Sequence, residues 1–357
     1  MTRTAAAKSG QKAGQGAGKR PEQVALTGIK PTGTPHLGNW LGAIRPGLAL
    51  AERPDTRAVY FIADYHALNQ VSDPVALRQM TYEVAATWLA FGLDPERTLI
   101  YRQSDVPEIF ELNWILACVT SKGWMNKAHA YKAAVDRNQE SGETDSDAGI
   151  NMGLYGYPVL MAADILLFDS DLVPVGKDQV QHVELARDMA QRLNHLYGDV
   201  LTLPQAFVTE QVQLIPGLDG RKMSKSYDNV IPLFASAKQL RKIIGRIVTD
   251  STPPEAPKDP ESSHIFQIYR AVATPEQTES LAARYATGIG WGDAKQVLFD
   301  VLDAALDPAR TRYEALMANP AELDAVLATG AARARIVAAQ TLSRVRAAIG
   351  IGPAAAG

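Results

Sequence analysis

The sequence predicts an α/β protein in which a doubly wound parallel sheet is followed by a helical region. Two observations support this prediction. Between residues 22 and 200, short apolar runs alternate with helical stretches, a pattern typical of parallel strands joined by crossover helices. Residues 236–350 have almost no strand pattern and instead show long helical periodicities. Ligands of doubly wound sheets bind beyond the carboxyl ends of the strands, so functional residues are expected there.

The individual elements follow from the same periodicities. The runs predicted as strands are, in chain order, QVALTGI, AVYFIADY, RTLIYRQ and DLVPVG. The helices predicted between and after them are GNWLGAIRPGLALAE, PVALRQMTYEVAATWLAFG, PEIFELNWILACV and DQVQHVELARDMAQRLNHLYG. In the second half, AKQLRKIIGRIVT and ELDAVLATGAARARIVAAQTLSRVRAAIG are predicted as helices. The polar, acidic stretch 136–149 is predicted to be a mobile loop.

The composition is that of an ordinary globular protein. The chain has 357 residues, of which 46% are hydrophobic and 21% charged, and a net charge of -3. This charge excludes an overall basic nucleic-acid binder but not a local basic surface. Cys118 is the only cysteine, which excludes an intrachain disulfide and a cysteine-based zinc site, and its apolar neighbours predict a core position. No apolar run approaches the ~18 residues of a membrane span, so no membrane association is predicted.

The first 20 residues are basic and rich in glycine, with no acidic residue. Mitochondrial transit peptides share the charge bias, but glycines oppose the amphipathic helix that such peptides form. We therefore expect residues 1–21 to be a disordered basic tail and the protein to be cytoplasmic.

The glycine-rich stretch GIKPTGTPHLGNWLGAIR, residues 28–45, follows the first predicted strand and opens a helix. In a doubly wound sheet this position binds phosphate, because free N–H groups and the helix dipole point outward there. Gly38 would allow close backbone approach, while His36 and Asn39 can donate hydrogen bonds to phosphate oxygens. Spacing alone leaves a plain strand-to-helix turn with a satisfied histidine equally open.

A second motif, Lys222-Met223-Ser224-Lys225-Ser226, lies at the end of the sheet region. By itself KMSKS could be a solvated basic turn. Together with HLGN after the first strand, it resembles the class I aminoacyl-tRNA synthetases. In that family the first motif cradles the nucleotide, and the second is a mobile loop whose lysines hold the phosphates of ATP. The reaction begins when an amino-acid carboxylate attacks the α-phosphorus of ATP, so the protein must position the reactants and stabilise charge.

The resemblance implies a set of ATP-binding residues, with Mg²⁺ carried by the ATP phosphates and no metal site of the protein's own. The residues implied to be catalytic are His36, Asn39, Lys222 and Lys225. The full ATP-binding set is Lys30, Thr32, Gly33, His36, Gly38, Asn39, Gly176, Asp178, Lys222, Met223, Ser224, Lys225 and Ser226.

The segment YPVLMAADILLF, residues 157–168, bears on which amino acid is activated. Tyr157, Met161 and Asp164 share one face of a helix, and residue type alone would place the first two in the core. Asp164 differs, because a carboxylate in so apolar a segment is costly without a partner. A hydrogen-bond donor of a ligand could be that partner.

This segment and the following DSDLVPVGKDQVQHVELARDMAQRLN closely resemble the tryptophanyl-tRNA synthetases, and the resemblance extends from about residue 24 to 350. It implies that Asp164 accepts the indole N–H of tryptophan. The residues implied to line the indole slot or hold the amino-acid end are Gly28, His66, Tyr157, Met161, Val173, Val175 and Gln179. Two positions depart from the bacterial pattern, with Leu26 in place of an aromatic residue and Lys30 in place of glutamine.

The last predicted helix carries Arg333, Arg335, Arg344 and Arg346, with no acid between residues 331 and 350. Charge pattern alone leaves a solvated face open, whereas the resemblance implies contacts with tRNA(Trp). It also implies a homodimer. The expected organisation is a tail at 1–21, a Rossmann-like catalytic domain at 22–232, a helical anticodon-binding domain at 233–350 and a disordered tail at 351–357.

Three other functions are compatible with parts of the sequence. A tyrosyl-tRNA synthetase shares the fold and both motifs, but the MAAD and VPVGKDQ contexts argue against it. A small-molecule nucleotidyltransferase can carry the first motif, but has no reason to keep KMSKS or the arginine-rich helix. A paralogue without catalytic activity would not need His36, Asn39, Lys222 and Lys225 intact.

Overall fold

The computed structural model describes residues 23–176, 179–208 and 215–352, so the predicted N-terminal tail and residues 353–357 lie outside the described ranges. Within them, five parallel strands form one sheet in the order β3-β2-β1-β4-β5. The strands are β1 (Gln23–Ile29), β2 (Thr56–Ile62), β3 (Leu99–Arg102), β4 (Leu172–Pro174) and β5 (Gln205–Phe207). The predicted parallel sheet is thereby confirmed. Strand β5 was not predicted, because three residues are too few to show a periodicity.

The helices surround this sheet, and the predicted ones are present within a few residues of their expected bounds. They are α1 (Leu37–Asn39), a π-helical turn (Trp40–Ile44), α2 (Arg45–Ala51), α3 (Asp64–Ala67), α4 (Pro74–Ala90), α5 (Glu108–Val119), α6 (Lys122–Met125), α7 (His129–Glu140), α8 (Met152–Leu166), α9 (Val180–Tyr197), α10 (Ala237–Gly245), α11 (His264–Arg270), α12 (Pro275–Thr287), α13 (Trp291–Ala318) and α14 (Pro320–Ile349). Short 3₁₀ turns lie at Gln103–Asp105 and Lys225–Tyr227.

Local sequence explains where several helices begin. The carboxylate of Asp73 accepts a hydrogen bond of 2.8 Å from the Val75 N–H, and Pro74 occupies the first turn of α4. At α10, Ser236 and Gln239 form a reciprocal capping box. Such caps satisfy N–H groups that the helix itself leaves without acceptors.

The core consists of two hydrophobic clusters on opposite faces of the sheet. Successive residues of β2 alternate between them, with Tyr60 in one cluster and Phe61 in the other, as the pleat of a strand requires. Helices α10 to α13 and the start of α14 contribute to the first cluster, and residues 331–345 of α14 contribute to the second. The hydrophobic packing therefore continues across residue 232. The division into two domains at that residue stays a prediction.

Helix α14 lies directly against strand β3 at the edge of the sheet. A Cβ atom placed on Gly330 would lie 1.8 Å from the carbonyl oxygen of Ile100, far inside van der Waals contact. Glycine is therefore required at this position, not for its backbone angles but for the close approach of helix and strand.

We expect Gly330→Ala to lower the free energy of unfolding by several kcal/mol, since α14 would have to move away from β3. Urea unfolding followed by circular dichroism measures the change. Gly292→Ala is the matched control, because it adds the same atom in α13 where no atom lies within 4 Å. The control should be neutral or slightly stabilising. Equal stability of the two variants would show that the approach of α14 is not tight.

The structure differs from two expectations about the middle of the chain, although residues 141–149 do lie outside the helices and strands. Residues 136–140 of the expected mobile loop belong to α7, and the side-chain amide of Asn138 donates to the carbonyls of Ser146 and Ala148, each at 2.9 Å. The loop is thus tied to the helix before it. Cys118 is exposed rather than in the core, because it lies one turn beyond the exposed Trp114 on the outer face of α5.

Candidate active site

The first motif connects β1 to α1 at the carboxyl edge of the sheet. His36 begins the helix, and its backbone N–H donates to the side-chain oxygen of Asn39 at 3.0 Å. A Cβ atom on Gly38 would lie 3.0 Å from the His36 ring, so glycine lets this turn close tightly. His36 is buried, and its Nδ1 makes no hydrogen bond among the described residues. The His36 side chain also lines the cleft between the two motifs.

Burial, and to a smaller extent the nearby Lys225 ammonium, lower the pKa of His36 to about 4. At neutral pH the ring is therefore uncharged and acts through a single N–H donor. Positive charge at this site has to come from lysines.

A pH effect on stability follows from this pKa. An unfolded histidine titrates near 6.5, so between about pH 6.5 and 4 the unfolded chain binds more protons than the folded chain. As the pH falls through this window, we expect His36 to lower the free energy of unfolding by at most about 3 kcal/mol, because solvent screens part of the effect. Urea unfolding of wild type and His36→Gln at several pH values measures it. The variant should lack this component, and identical pH dependence in both proteins would contradict the assignment.

The second motif is held in place by Asn229, a buried residue that the sequence analysis missed. Its side-chain oxygen accepts from the Ser224 N–H at 2.8 Å, and its nitrogen donates to the carbonyl of Lys222 at 3.2 Å and to Asp219 at 2.7 Å. An asparagine close after a functional loop is the only sequence signal for this role. Lys225 reaches across to the first motif and donates to the Thr32 carbonyl at 3.3 Å.

The two motifs line one cavity of about 530 Å³, although most of the chain separates them in sequence. The predicted ATP-binding residues that line it are Thr32, His36, Gly38, Asn39, Lys222, Met223, Ser224, Lys225 and Ser226. Lys30 and Gly33 line an adjoining cavity of about 250 Å³ that shares Thr32, Asn39 and Lys225 with the first. Gly176 lies just after β4 and lines neither cavity, and Asp178 is outside the described residues.

Asp164 is fully buried in α8 and is hydrogen-bonded within the chain. The Gln103 amide nitrogen donates to both carboxylate oxygens, at 2.8 and 2.9 Å, and His66 Nε2 lies 2.9 Å from Oδ2. Burial raises the pKa of Asp164, while the hydrogen bonds from His66 and Gln103 oppose that shift. Sequence reasoning missed Gln103, whose only signal is its place at the carboxyl end of a predicted strand.

Of the other predicted tryptophan-binding residues, His66 is the one that contacts this carboxylate among the hydrogen bonds of the described residues. The ring of Tyr157 lies 6.3 Å from that of His66, and its hydroxyl is hydrogen-bonded to Nε2 of His182. Met161, Val173 and Val175 pack in the same hydrophobic cluster, as part of one sheet face. A Cβ atom on Gly28 would lie 2.4 Å from the ring of Phe61. Gln179 immediately precedes α9.

Comparison with known proteins identifies the family. The family model described as tRNA synthetases class I (W and Y) matches residues 19–307. The tryptophan–tRNA ligase of Pseudomonas aeruginosa is 56% identical over 329 residues, which is 91% of this chain and 73% of the relative. The chain belongs to the tryptophanyl-tRNA synthetases.

Further relatives of this synthetase agree. The tryptophan–tRNA ligase of Neisseria meningitidis is 52% identical over 92% of this chain and 98% of its own. The crystal structure of the Campylobacter jejuni tryptophanyl-tRNA synthetase, complexed with ADP and tryptophan, has a TM-score of 0.85 at 42% identity, covering 92% of this chain and all of that one. The tyrosyl alternative is less supported, because the relatives at 52–56% identity are named tryptophan–tRNA ligases.

The four arginines of α14 do not form a free basic surface in this synthetase. Each of them is hydrogen-bonded to a residue between 95 and 200. The pairs are Arg333 with the carbonyls of Pro95 and Glu96, Arg335 with Glu108, Arg344 with Asp169 and the carbonyl of Val200, and Arg346 with Glu111. The side chains of Arg335, Arg344 and Arg346 stay about half exposed, so they are both solvated and paired within the chain. Contact with tRNA through them stays a prediction, and it would have to compete with these bonds.

No helix among the described residues is long and apolar enough to cross a membrane. In the same part of the chain, no group of three or more His, Cys, Asp or Glu side chains is placed to hold a metal ion.

Proposed function

We propose that ATP binds in the cavity between the two motifs and tryptophan binds beside Asp164, so that this tryptophan–tRNA ligase joins them at the carboxyl edge of the sheet. The observation that carries the proposal is the convergence of Thr32, His36 and Asn39 with the 222–226 loop around one cavity. Such convergence is what nucleotide binding between distant segments requires.

In the first step, a carboxylate oxygen of tryptophan forms a bond to the α-phosphorus of ATP. The bond between the α-phosphorus and the bridging oxygen breaks, and pyrophosphate leaves, giving tryptophanyl-adenylate. In the second step, a hydroxyl at the 3′ end of tRNA(Trp) attacks the carbonyl carbon and AMP leaves. The substrate supplies its own nucleophile, so the protein contributes positioning and charge stabilisation.

The ammonium groups of Lys222 and Lys225 are proposed to stabilise the negative charge that develops on pyrophosphate as it leaves. Each ammonium is a mobile point charge on a flexible stem, which suits a leaving group that moves. Burial lowers the pKa of Lys225, while the charge of Glu83 raises it. His36 and Asn39 contribute uncharged donors, and Mg²⁺ would enter on the ATP phosphates.

A homodimer is proposed from an exposed apolar stripe on α5. The stripe consists of Phe110, Trp114 and Cys118, spaced four residues apart, and 70% of Trp114 is exposed. Exposed aromatic side chains of this size are typical of contact surfaces. We propose that a second copy of the chain covers this stripe.

A cytoplasmic location stays a prediction.

Pyrophosphate exchange with each of the twenty amino acids, followed by charging of total tRNA, tests the function. We expect exchange that depends on tryptophan and charging of one tRNA species. Exchange with tyrosine instead would reassign the substrate, and the absence of exchange with every amino acid would refute the activity.

A further inference from the structure

Gln103 is the first residue after β3 and has no solvent exposure. Its side-chain nitrogen donates to both oxygens of the Asp164 carboxylate, whereas its side-chain oxygen has no hydrogen-bond partner among the described residues. Turning the amide over would place an oxygen against the carboxylate, so this orientation is the favourable one. A buried, unpaired oxygen is costly, which indicates that the amide is retained for the contact made by its nitrogen.

The contacts on Asp164 leave room for one more donor. A carboxylate offers about four acceptor sites, and the Gln103 nitrogen and His66 Nε2 occupy three of them. Two contacts from one planar amide fix the plane of the carboxylate as well as its position. Without them only the His66 contact would hold the carboxylate, at one oxygen, and the direction of the acceptor site would be less fixed.

We propose that Gln103 is a specificity-determining positioning residue, which aims the Asp164 carboxylate at the indole N–H of tryptophan and thereby separates tryptophan from phenylalanine. The inference rests on the tryptophan site proposed above. A site that accepts a hydrogen bond from its substrate rejects an analogue that lacks the donor, provided that the acceptor is charged and cannot turn away. Gln103, together with His66, supplies both conditions.

The charge on Asp164 depends on the same contacts. Burial and the neighbouring Asp64 raise the pKa of this carboxyl, and the hydrogen bonds from His66 and Gln103 lower it. The hydroxyl of Tyr101, on β3, also faces this buried region and has no partner among the described residues. Loss of the Gln103 donor would therefore favour a protonated Asp164, which is a weaker acceptor.

Gln103→Met tests the proposal, because methionine keeps the length of the side chain and removes the donor. We expect the KM for tryptophan in pyrophosphate exchange to rise about tenfold or more while kcat changes less, because the lost contact recognises bound substrate. The preference for tryptophan over phenylalanine should fall by a similar factor. Thr81→Val is the control, since it removes the partly buried hydrogen bond from the Thr81 hydroxyl to the Leu77 carbonyl, outside the site.

Gln103→Glu provides a rescue that a structural role would not show. Two adjacent carboxylates share a proton, and the protonated partner again donates to the other. As the pH falls from about 8 to about 6, the tryptophan KM of the glutamate variant should therefore improve relative to that of the methionine variant. The neighbouring Asp64, His66 and Tyr101 are the same in both variants, so the ratio of the two KM values reports the new carboxyl.

The outcomes separate the inference from the function. Absence of tryptophan-dependent exchange in the wild type would refute the proposed function itself. Exchange in the wild type, with unchanged KM and selectivity in Gln103→Met, would overturn the role of Gln103. A loss of selectivity in Thr81→Val equal to that in Gln103→Met would also overturn it, because general destabilisation would then explain the effect.

Discussion

Asp164→Ala is expected to lower the efficiency of tryptophan activation by about 2–4 kcal/mol, the usual scale for a hydrogen bond to a charged group plus the unpaired donor left behind. The carboxylate is fully buried and lies between His66 and Gln103, so water cannot replace it as an acceptor. Discrimination against phenylalanine should shrink most. Phenylalanine has no N–H to donate, so binding it to the wild type leaves the buried carboxylate without the donor that the indole supplies. The alanine variant has no carboxylate, so it no longer rejects phenylalanine for this reason.

Tryptophan- and phenylalanine-dependent pyrophosphate exchange in wild type, Asp164→Asn and Asp164→Ala measures the effect. The asparagine variant should be intermediate, since an amide oxygen still accepts but carries no charge. Thr81→Val again controls for lost stability. If Asp164→Ala activates tryptophan as well as wild type with selectivity intact, Asp164 is a structural carboxylate and the indole assignment fails.

Lys225→Ala is expected to slow tryptophan activation about 10²–10³-fold, the scale for removing one donor from a charge-stabilising site, while the affinity for tryptophan changes little. The reason is that the ammonium contact strengthens as negative charge moves to pyrophosphate, so it stabilises the transition state more than the ground state. In the structure Lys225 donates to the Thr32 carbonyl, a neutral acceptor it can exchange for phosphate.

Single-turnover formation of the adenylate, together with equilibrium binding of tryptophan, separates the two effects. Lys238→Ala is the matched control, because it removes an exposed lysine of α10 that lines neither of the cavities around the two motifs. The control should behave as wild type. A parallel loss of tryptophan affinity, or an unchanged rate in Lys225→Ala, would refute the role in charge transfer.

The strands and long helices could be predicted from sequence because burial on one or both faces imposes a periodicity. Strand β1 matches QVALTGI from its first to its last residue. Strand β5 and α7 could not be predicted in this way. The first is too short, and the end of the second is polar because it faces solvent and carries its own tertiary bonds through Asn138.

The two motifs could be predicted because their chemistry is local, but their supporting residues could not. Asn229 and Gln103 act through distant partners, and neither residue type reveals its partner in the sequence. The arginines of α14 illustrate the same limit. A run of positive charge predicts an anionic partner, and in this fold carboxylates and carbonyls of the same chain provide it.

The position of α14 has a consequence for the order in which the chain folds. Contacts such as that between Arg333 and the Pro95 carbonyl join residues 238 positions apart, so the outer edge of the sheet is completed only by a helix that is synthesised long after the strand. Until α14 emerges from the ribosome, β3 presents an uncovered edge of the kind that pairs with other chains. Nonsense mutations before residue 320 would therefore leave an aggregation-prone fragment rather than a shortened enzyme.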